Sequence, residues 1–401
     1  MKICILGVRY IATAGGMYAY ERNIKERLEA RGHTVHIIAP EVGKEHRNDK
    51  TVHKAWVFGF YPLDAFIRKI VFAFTSFRVL YLLHKQIKVD LVYAMGSYGL
   101  NALFIRKLLG IPVVNHAPFP SMYRLKSERG LKKWAYLFPL GLLEYPALRF
   151  ADKIIILSEI FRNVIQELCP MDTNKIVTIP NGVDIPEQNP DIDCANIRNR
   201  YGIGVNTALY LYVGWVTKKK GVVDLLKAYR MVKNSDKKLI VVGAIDKELA
   251  GVEEKDNYED ALFTGYVSER EKEEFFRCAD IFVFPSHSEG QPFTVLEAMS
   301  YGLPVIATRK DGMVDQVDDG KTGFLVSASN PRELAEKMGF IAGLDYKQMG
   351  VLSREKAKRE FGWTDVIDKA IRVFEEVTGT LHYSIQSKKG FEVSLLKKRG
   401  G

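Results

Sequence analysis

The chain has 401 residues, 47% of them hydrophobic, which suits two domain cores better than one. No window of 18 uninterrupted apolar residues occurs: Ile70–His84 is interrupted by Arg78, and Trp134–Phe150 by Pro139, Glu144 and Pro146, so no membrane-spanning helix is expected. The net charge of +10 is uneven, with 26 Lys and Arg against 14 Asp and Glu in residues 1–180 and 32 against 34 in the rest, which points to an anionic partner for the N-terminal half.

Residues 2–8, KICILGV, read as a core strand whose apolar run is too short for a secretion signal. After a loop come Gly15 and Gly16, a helix over Tyr18–Arg31 with Ile24 and Leu28 at i,i+4 spacing, and a strand over Thr34–Ala39. This is a βαβ start with a glycine pair where backbone must approach a ligand. It lacks the G-x-G-x-x-G spacing, so a nicotinamide cofactor is not indicated.

Residues 56–84 mix aromatic side chains with Arg68, Lys69 and Arg78. Val89–Ala94 reads as a strand, Leu100–Leu109 as a helix, and Ile111–Asn115 as a strand ending at His116. A histidine at a strand's carboxyl end is expected to face the crevice where open α/β sheets bind ligands. Residues 119–150 then carry Arg124, Lys126, Arg129, Lys132 and Lys133 beside Trp134, Tyr136 and Phe138, a composition that suits an interfacial surface or a solvated basic face. No recognition-helix, zinc-finger or RNP pattern accompanies these cations, so nucleic acid is not an expected partner.

Asp152–Leu157 is a strand, and Ser158-Glu159 opens a helix. Asn181-Gly182-Val183-Asp184 supplies turn chemistry, and the polar stretch Asp184–Asn199 reads as a connector. The second half opens with a strand, Ala208–Val213, then GWVTKKKG and a helix over Val222–Val232; lysines at a helix start combine with its dipole to grip a pyrophosphate. Further strands are Leu239–Val242, Ala261–Thr264, Ile281–Phe284, Gly302–Ala307 and Gly323–Val326, followed by helices over Pro331–Leu344 and Trp363–Val377 and a basic tail, 380–401. Cys4, Cys169, Cys194 and Cys278 show no C-x-x-C pair or accompanying histidine spacing; neither a zinc site nor a disulfide framework is expected, which suits a reducing compartment.

The most informative stretch follows the Ile281–Phe284 strand. Glu289 and Glu297 stand eight residues apart with Gly290, Gln291 and Pro292 between them. Val295, Leu296, Met299 and Tyr301 have helical spacing until Gly302 stops the helix and Pro304 opens the next strand. Thr294 is the expected cap, leaving backbone N–H groups aimed out of the loop toward an anion.

This stretch resembles the E-x7-E signature of the family-4 retaining glycosyltransferases. The resemblance covers roughly residues 1–378 and implies an α/β GT-B fold, two Rossmann-like domains facing across a cleft. It implies an N-terminal acceptor domain over 1–180, a donor domain over 181–362, and a C-terminal helix over 363–378 that packs back on the first. By the same resemblance Glu289 contacts the transferred sugar and Glu297 holds the nucleotide ribose. Lys220, with Gly214 and Gly221, fits the phosphate-gripping G-R-L-x-x-x-K-G pattern, in which Trp215 stands where the family has Arg. Gly290, Pro292, Phe293 and Thr294 form the donor turn, and Val267 lies where the base is read through backbone. Gly15, Gly16 and His116 match the glycine loop and the histidine beside donor sugar and acceptor, with Arg124 and Lys126 on the acceptor side. Two further departures are Gly243-Ala244-Ile245 and Asp311-Gly312, where more glycine is usual.

The function so implied is a retaining transfer from a nucleotide sugar to a lipid-linked, polysaccharide or other glycan acceptor, as in cell-envelope polysaccharide biosynthesis. Glu289, His116 and Lys220 are its catalytic candidates, and no metal or other cofactor is called for. The expected location is cytoplasmic, peripheral on the inner face of the cell membrane through an anionic lipid surface. Two alternatives are a nucleotide-sugar-binding protein with weakened turnover, because of Trp215, and a nucleotide-sugar epimerase of the same shape.

Overall fold

The computed structural model describes residues 1–11, 15–58, 64–121, 123–124, 131–187, 193–233, 236–249, 261–343 and 346–380. It divides into two compact units, one formed by Met1–Pro180 with the chain from Val366 onward, the other by Asn181–Asp365. The division falls inside the C-terminal helix, Trp363–Thr378, not at its start.

The first unit holds a seven-stranded sheet in the order β3-β2-β1-β4-β5-β6-β7. Its strands are β1 (Lys2–Leu6), β2 (Thr34–Ala39), β3 (Val52–Lys54), β4 (Leu91–Met95), β5 (Val113–Ala117), β6 (Lys153–Ile156) and β7 (Ile176–Thr178), and every pair is parallel. A parallel sheet covered by helices buries both faces, so its strands are continuous apolar runs. All of β4 and β5 is buried, including Asn115 and His116. From Asp64 on, the aromatic stretch of the sequence forms one long helix, Asp64–Ile87. The helix expected over 100–109 is irregular, a 3-10 turn at Gly96–Gly99 followed by short helical pieces up to Leu109 and a left-handed Gly110. The last helix joins this unit through the Phe374 ring, 5.1 Å from that of Tyr93, and through ion pairs of Asp368 with Arg31 and Glu376 with Lys153.

The second unit holds a six-stranded sheet in the order β10-β9-β8-β11-β12-β13. These are β8 (Ala208–Val213), β9 (Lys237–Val242), β10 (Ala261–Gly265), β11 (Ile281–Phe284), β12 (Val305–Thr308) and β13 (Gly323–Val326), again all parallel. Leu211, Val283, Ile306, Leu296 and Met299 are fully enclosed in its core. Each sheet thus reverses its winding direction once, between β1 and β4 and between β8 and β11, which makes a crevice at the strands' carboxyl ends.

One expectation is overturned. Cys194 and Cys278, 84 residues apart, form a disulfide with their Cα atoms 5.2 Å apart, while Cys4 and Cys169 are free and buried. The bridge ties the short helix Cys194–Arg200 to the helix Glu269–Cys278, and Arg198 pairs with Asp280 beside it at 2.6 Å. Neither spacing motif nor composition signals such a pair, because the two helices meet only in the folded sheet.

Candidate functional site

Strands β8 and β11 are neighbours, with Tyr210 opposite Ile281 and Leu211 opposite Phe282. The loops that leave their carboxyl ends therefore emerge side by side at the reversal point. Lys220, from the first loop, pairs its ammonium with Oε1 of Glu289, from the second. Ser286 Oγ donates to the same oxygen at 2.7 Å, and the ammonium also lies 5.7 Å from the Phe284 ring centre. The approach depends on glycine. Gly221 has φ +73°, and a Cβ there would lie 2.0 Å from the Pro285 carbonyl oxygen.

Of the three consecutive lysines, Lys220 enters this corner. Lys218 is exposed and faces Glu248 at 3.5 Å, and the Lys219 carbonyl accepts a hydrogen bond from the His287 amide at 2.9 Å. Trp215 is 63% exposed, with its carbonyl accepting from the Tyr212 hydroxyl at 2.8 Å. His287 Nε2 also stands 2.7 Å from Asp224 Oδ2, in the first turn of the helix Val222–Met231, a contact that sequence spacing did not flag.

The Glu289 loop is pinned from behind. Asp311 is completely buried at φ +54°, a region that Asp tolerates better than most side chains. Its Oδ2 accepts from the Glu289 amide at 3.0 Å and from the Ser288 hydroxyl at 2.8 Å. A Cβ on Gly312 would stand 1.7 Å from the Gly290 carbonyl oxygen. The departure from the family's usual glycine pair thus keeps glycine where backbones touch and puts a loop-holding acceptor in the other place. Gln291 anchors the turn's other end: its Oε1 accepts from the Asn181 amide at 2.6 Å, and its carbonyl accepts from Asn181 Nδ2 at 2.8 Å.

The helix after this loop spans Phe293–Ser300 and begins at Pro292, with no side-chain cap. Thr294 is not the cap. It lies one residue inside the helix, and its buried hydroxyl oxygen has no hydrogen-bond partner. The first-turn amides of an α-helix have no partner within the helix, and such an N-terminus favours an anion. Glu297 sits on this helix and pairs with Lys272 Nζ at 3.0 Å. Lys272 belongs to Glu269–Cys278, whose start is fixed by a capping box between Ser268 and Glu271. Burial works against the Lys272 charge, but Glu297 and Glu269 outweigh it and hold its pKa above the usual lysine value. Val267 is half-buried between β10 and that helix. Among the described residues no three His, Cys, Asp or Glu are grouped to hold a metal ion.

In the first unit, Gly15 (φ +73°) and Gly16 are exposed after β1, at the start of the helix Gly16–Ala30. His116 does not face an open crevice. It is 1% exposed, stacked on Tyr20 with ring centres 4.5 Å apart, and burial pushes its pKa down to about 3. The Tyr20 hydroxyl shares a 2.6 Å hydrogen bond with that of Tyr93. Glu21, which sequence reasoning missed, is fully buried beside this cluster; its Oε1 accepts from the Val8 amide at 2.7 Å, and burial raises its pKa to about 8. Arg124 lies over the Phe119 ring at 5.7 Å. Lys126 lies outside the described residues, as do Arg129 and the basic tail beyond residue 380.

Two family matches cover most of this architecture. Residues 14–187 match the family described as Glycosyltransferase Family 4, and residues 193–345 match Glycosyl transferases group 1. The chain belongs to the glycosyltransferases of the family-4 kind. Among its relatives is the capsular polysaccharide biosynthesis glycosyltransferase CapM of Staphylococcus aureus, 29% identical over 54% of this chain and 57% of that protein, so the match spans little more than half of the relative. The alpha-monoglucosyldiacylglycerol synthase of Streptococcus pneumoniae is 24% identical over 81% of this chain and 75% of its own. An Escherichia coli protein named UDP-Gal:alpha-D-GlcNAc-diphosphoundecaprenol alpha-1,3-galactosyltransferase is 29% identical over 72% and 76%. The sucrose-phosphate synthase structure from Thermosynechococcus elongatus superimposes with a TM-score of 0.77 at 19% identity, covering 95% of this chain and all of that one. Anabaena HepE, solved with UDP-glucose, gives 0.72 at 18% identity over 94% of this chain and 100% of its own. The fold of this glycosyltransferase is accordingly GT-B. Among the described residues no helix is long and apolar enough to cross a membrane.

Proposed function

We propose that this glycosyltransferase moves a sugar from a nucleotide-sugar donor, with retention of anomeric configuration, to an acceptor carried on a lipid. The observation that carries the donor reading is the meeting of Lys220 and Glu289 across the β8/β11 reversal, with Glu297 on the helix behind. Glu297 takes the ribose hydroxyls as a two-oxygen acceptor. Lys220 and the first-turn amides of Phe293–Ser300 take the diphosphate, whose charge grows as the sugar departs. Glu289 orients the sugar through its hydroxyls. It is not assigned as a nucleophile, because in same-face attack the leaving phosphate accepts the incoming proton. Val267 borders the base.

The acceptor is assigned to the first unit, near Gly15 and Gly16, with Arg124 on its anionic side. The relatives named for diacylglycerol and diphosphoundecaprenol acceptors support the lipid-borne reading. His116, enclosed and neutral, is given no contact with substrate; it positions Tyr20 at the foot of the glycine turn. Peripheral attachment to an anionic leaflet is part of the same reading, favoured by the excess of positive charge in residues 1–180.

The test is release of nucleoside diphosphate from a panel of nucleotide sugars, with and without lipid-linked acceptors, and the anomeric configuration of the product. Acceptor-dependent release with retained configuration is expected. A donor altered without any acceptor would make the protein an epimerase, and donor binding without release would make it a binding protein.

A further inference from the structure

The first unit carries an open groove of about 460 Å³. Ile70, Ala73, Phe74 and Phe77 line it from one face of the Asp64–Ile87 helix, at i, i+3, i+4 and i+7. Phe104 and Leu108 line it from the irregular helical segment that follows β4. Its volume is within the ~300–1,000 Å³ of small-molecule sites. Its wall is unusually bare, since Phe74 is 71% exposed, Leu108 67% and Phe104 56%. Large apolar side chains gathered in one open groove mark a binding surface, whereas scattered ones do not.

Charge says what kind of molecule covers it. The described side chains of the segments that build the groove, residues 64–87, 96–110 and 131–150, include seven Lys and Arg against Glu144, two of them, Arg68 and Arg106, paired with Glu41 and Asp152. Lys69 immediately precedes Ile70, the groove's residue nearest the start of the helix, and its ammonium donates to Ser97 Oγ just beyond the carboxyl end of β4. The Ile70 end of the groove thus lies toward the carboxyl end of β4, next in the chain to Lys69, and the groove runs along the helix away from it. An apolar trough whose described flanking side chains are mainly cationic matches a hydrocarbon chain attached to a phosphate.

We propose that this groove takes the hydrocarbon chain of a phosphate-bearing membrane lipid, with the phosphate at the Lys69 end. The inference deepens the reading of a lipid-borne acceptor and rests on it: the chain in the groove is that of the lipid that presents the sugar. The surrounding cations add long-range attraction to an anionic leaflet, and the groove adds the selectivity for a chain that charge alone lacks.

The test uses the full chain and a soluble probe, monoacyl phosphatidylglycerol below its critical micelle concentration, titrated by calorimetry, with glycerol phosphate as the chainless control. Two variants address the groove without touching the donor loops: Ala73→Phe, which fills it, and Phe74→Asp, at an exposed position where folding is least at risk. Binding of one monoacyl lipid per chain is expected, weakened by about tenfold or more in both variants, the loss of roughly two buried methylenes. Nucleoside diphosphate affinity should not change. Equal lipid affinity in wild type and both variants, or glycerol phosphate binding as tightly as the monoacyl lipid, overturns the proposal. So does a dimer in sedimentation that Phe74→Asp splits, because the groove would then be covered by a second copy. Transfer is read separately. Undiminished transfer to a lipid-linked acceptor by both variants rejects the groove and leaves the function standing, whereas groove-dependent lipid binding alongside transfer to soluble glycans only rejects the lipid acceptor and keeps the site.

Discussion

Lys272 and Glu297, 25 residues apart in the chain, meet at 3.0 Å between the helices Glu269–Cys278 and Phe293–Ser300. The pair fixes the carboxylate assigned to the ribose from a direction that the E-x7-E spacing does not contain. Glu297→Ala should weaken nucleoside diphosphate binding by ~1.5–3 kcal/mol, the usual worth of a hydrogen bond to a charged group. Lys272→Met should weaken it less, and Lys272→Arg should restore most of the loss. Residues acting through one contact are not additive, so the double variant should be little worse than Glu297→Ala alone. Calorimetry on wild type and the four variants decides it, and unchanged affinity in Glu297→Ala removes the ribose assignment.

The phosphate grip gives a second expectation. Lys220→Ala should cut turnover far more than Lys218→Ala, because Lys220 reaches Glu289, whereas Lys218 is turned to Glu248. Glu289→Gln should lower kcat with little change in nucleotide affinity, because its role begins at the sugar. Trp215→Arg should maintain or tighten diphosphate binding by returning a cation to the start of that loop. Near wild-type kcat for Lys220→Ala would place the grip elsewhere.

How much of this was legible in the sequence depends on how local each feature is. Buried parallel strands announce themselves as short apolar runs between turn residues, so β1, β4, β8 and β11 were readable, and with them the positions of Glu289 and Lys220 at strand ends. The helix Asp64–Ile87 was not, because Phe74, Tyr81 and Leu82 are exposed and blur the periodicity that marks a buried face. Asp311, the Lys272–Glu297 pair, Glu21 and the Cys194–Cys278 bridge depend on partners distant in sequence. His116 was found, but its strand is covered on both faces, and a strand-end position did not make it accessible.

Glu21 and His116 make opposite contributions to stability as pH changes. The folded state raises the Glu21 pKa to about 8 and lowers that of His116 to about 3, both through burial. A carboxyl held protonated when folded stabilises below its unfolded pKa and loses that stability as pH rises toward 8. A histidine held neutral when folded loses stability as pH falls below its unfolded value, about 6.5. Their slopes oppose each other in weak acid, which leaves roughly pH 6.5–8 as the window where Glu21 acts alone of the two. There wild type should lose up to about 1.4 kcal/mol per pH unit from this group, and Glu21→Gln should flatten the slope. Urea midpoints at several pH values test this; parallel curves for the two proteins would show that Glu21 is not the titrating group.

The last expectation concerns Asp311, which supports catalysis without being in a position to touch substrate. Its Oδ2 holds both the Glu289 amide and the Ser288 hydroxyl, at a backbone conformation that Gly also adopts easily. Asp311→Gly therefore relieves the positive φ while leaving two buried donors unsatisfied, at roughly 1–3 kcal/mol for each. The glycine variant should fold, because its backbone is at ease there, yet its loop should hold Glu289 less firmly. Turnover should fall while nucleoside diphosphate affinity, which runs through Lys220 and Glu297, stays within a few-fold. Asp311→Asn, which keeps one acceptor oxygen, should recover part of kcat. The alternative is a purely structural role, which would lower thermal stability in both variants and leave kcat per folded molecule intact. Thermal melts paired with active-site-normalised kcat separate the two. A kcat that tracks only the folded fraction would reduce Asp311 to a packing residue.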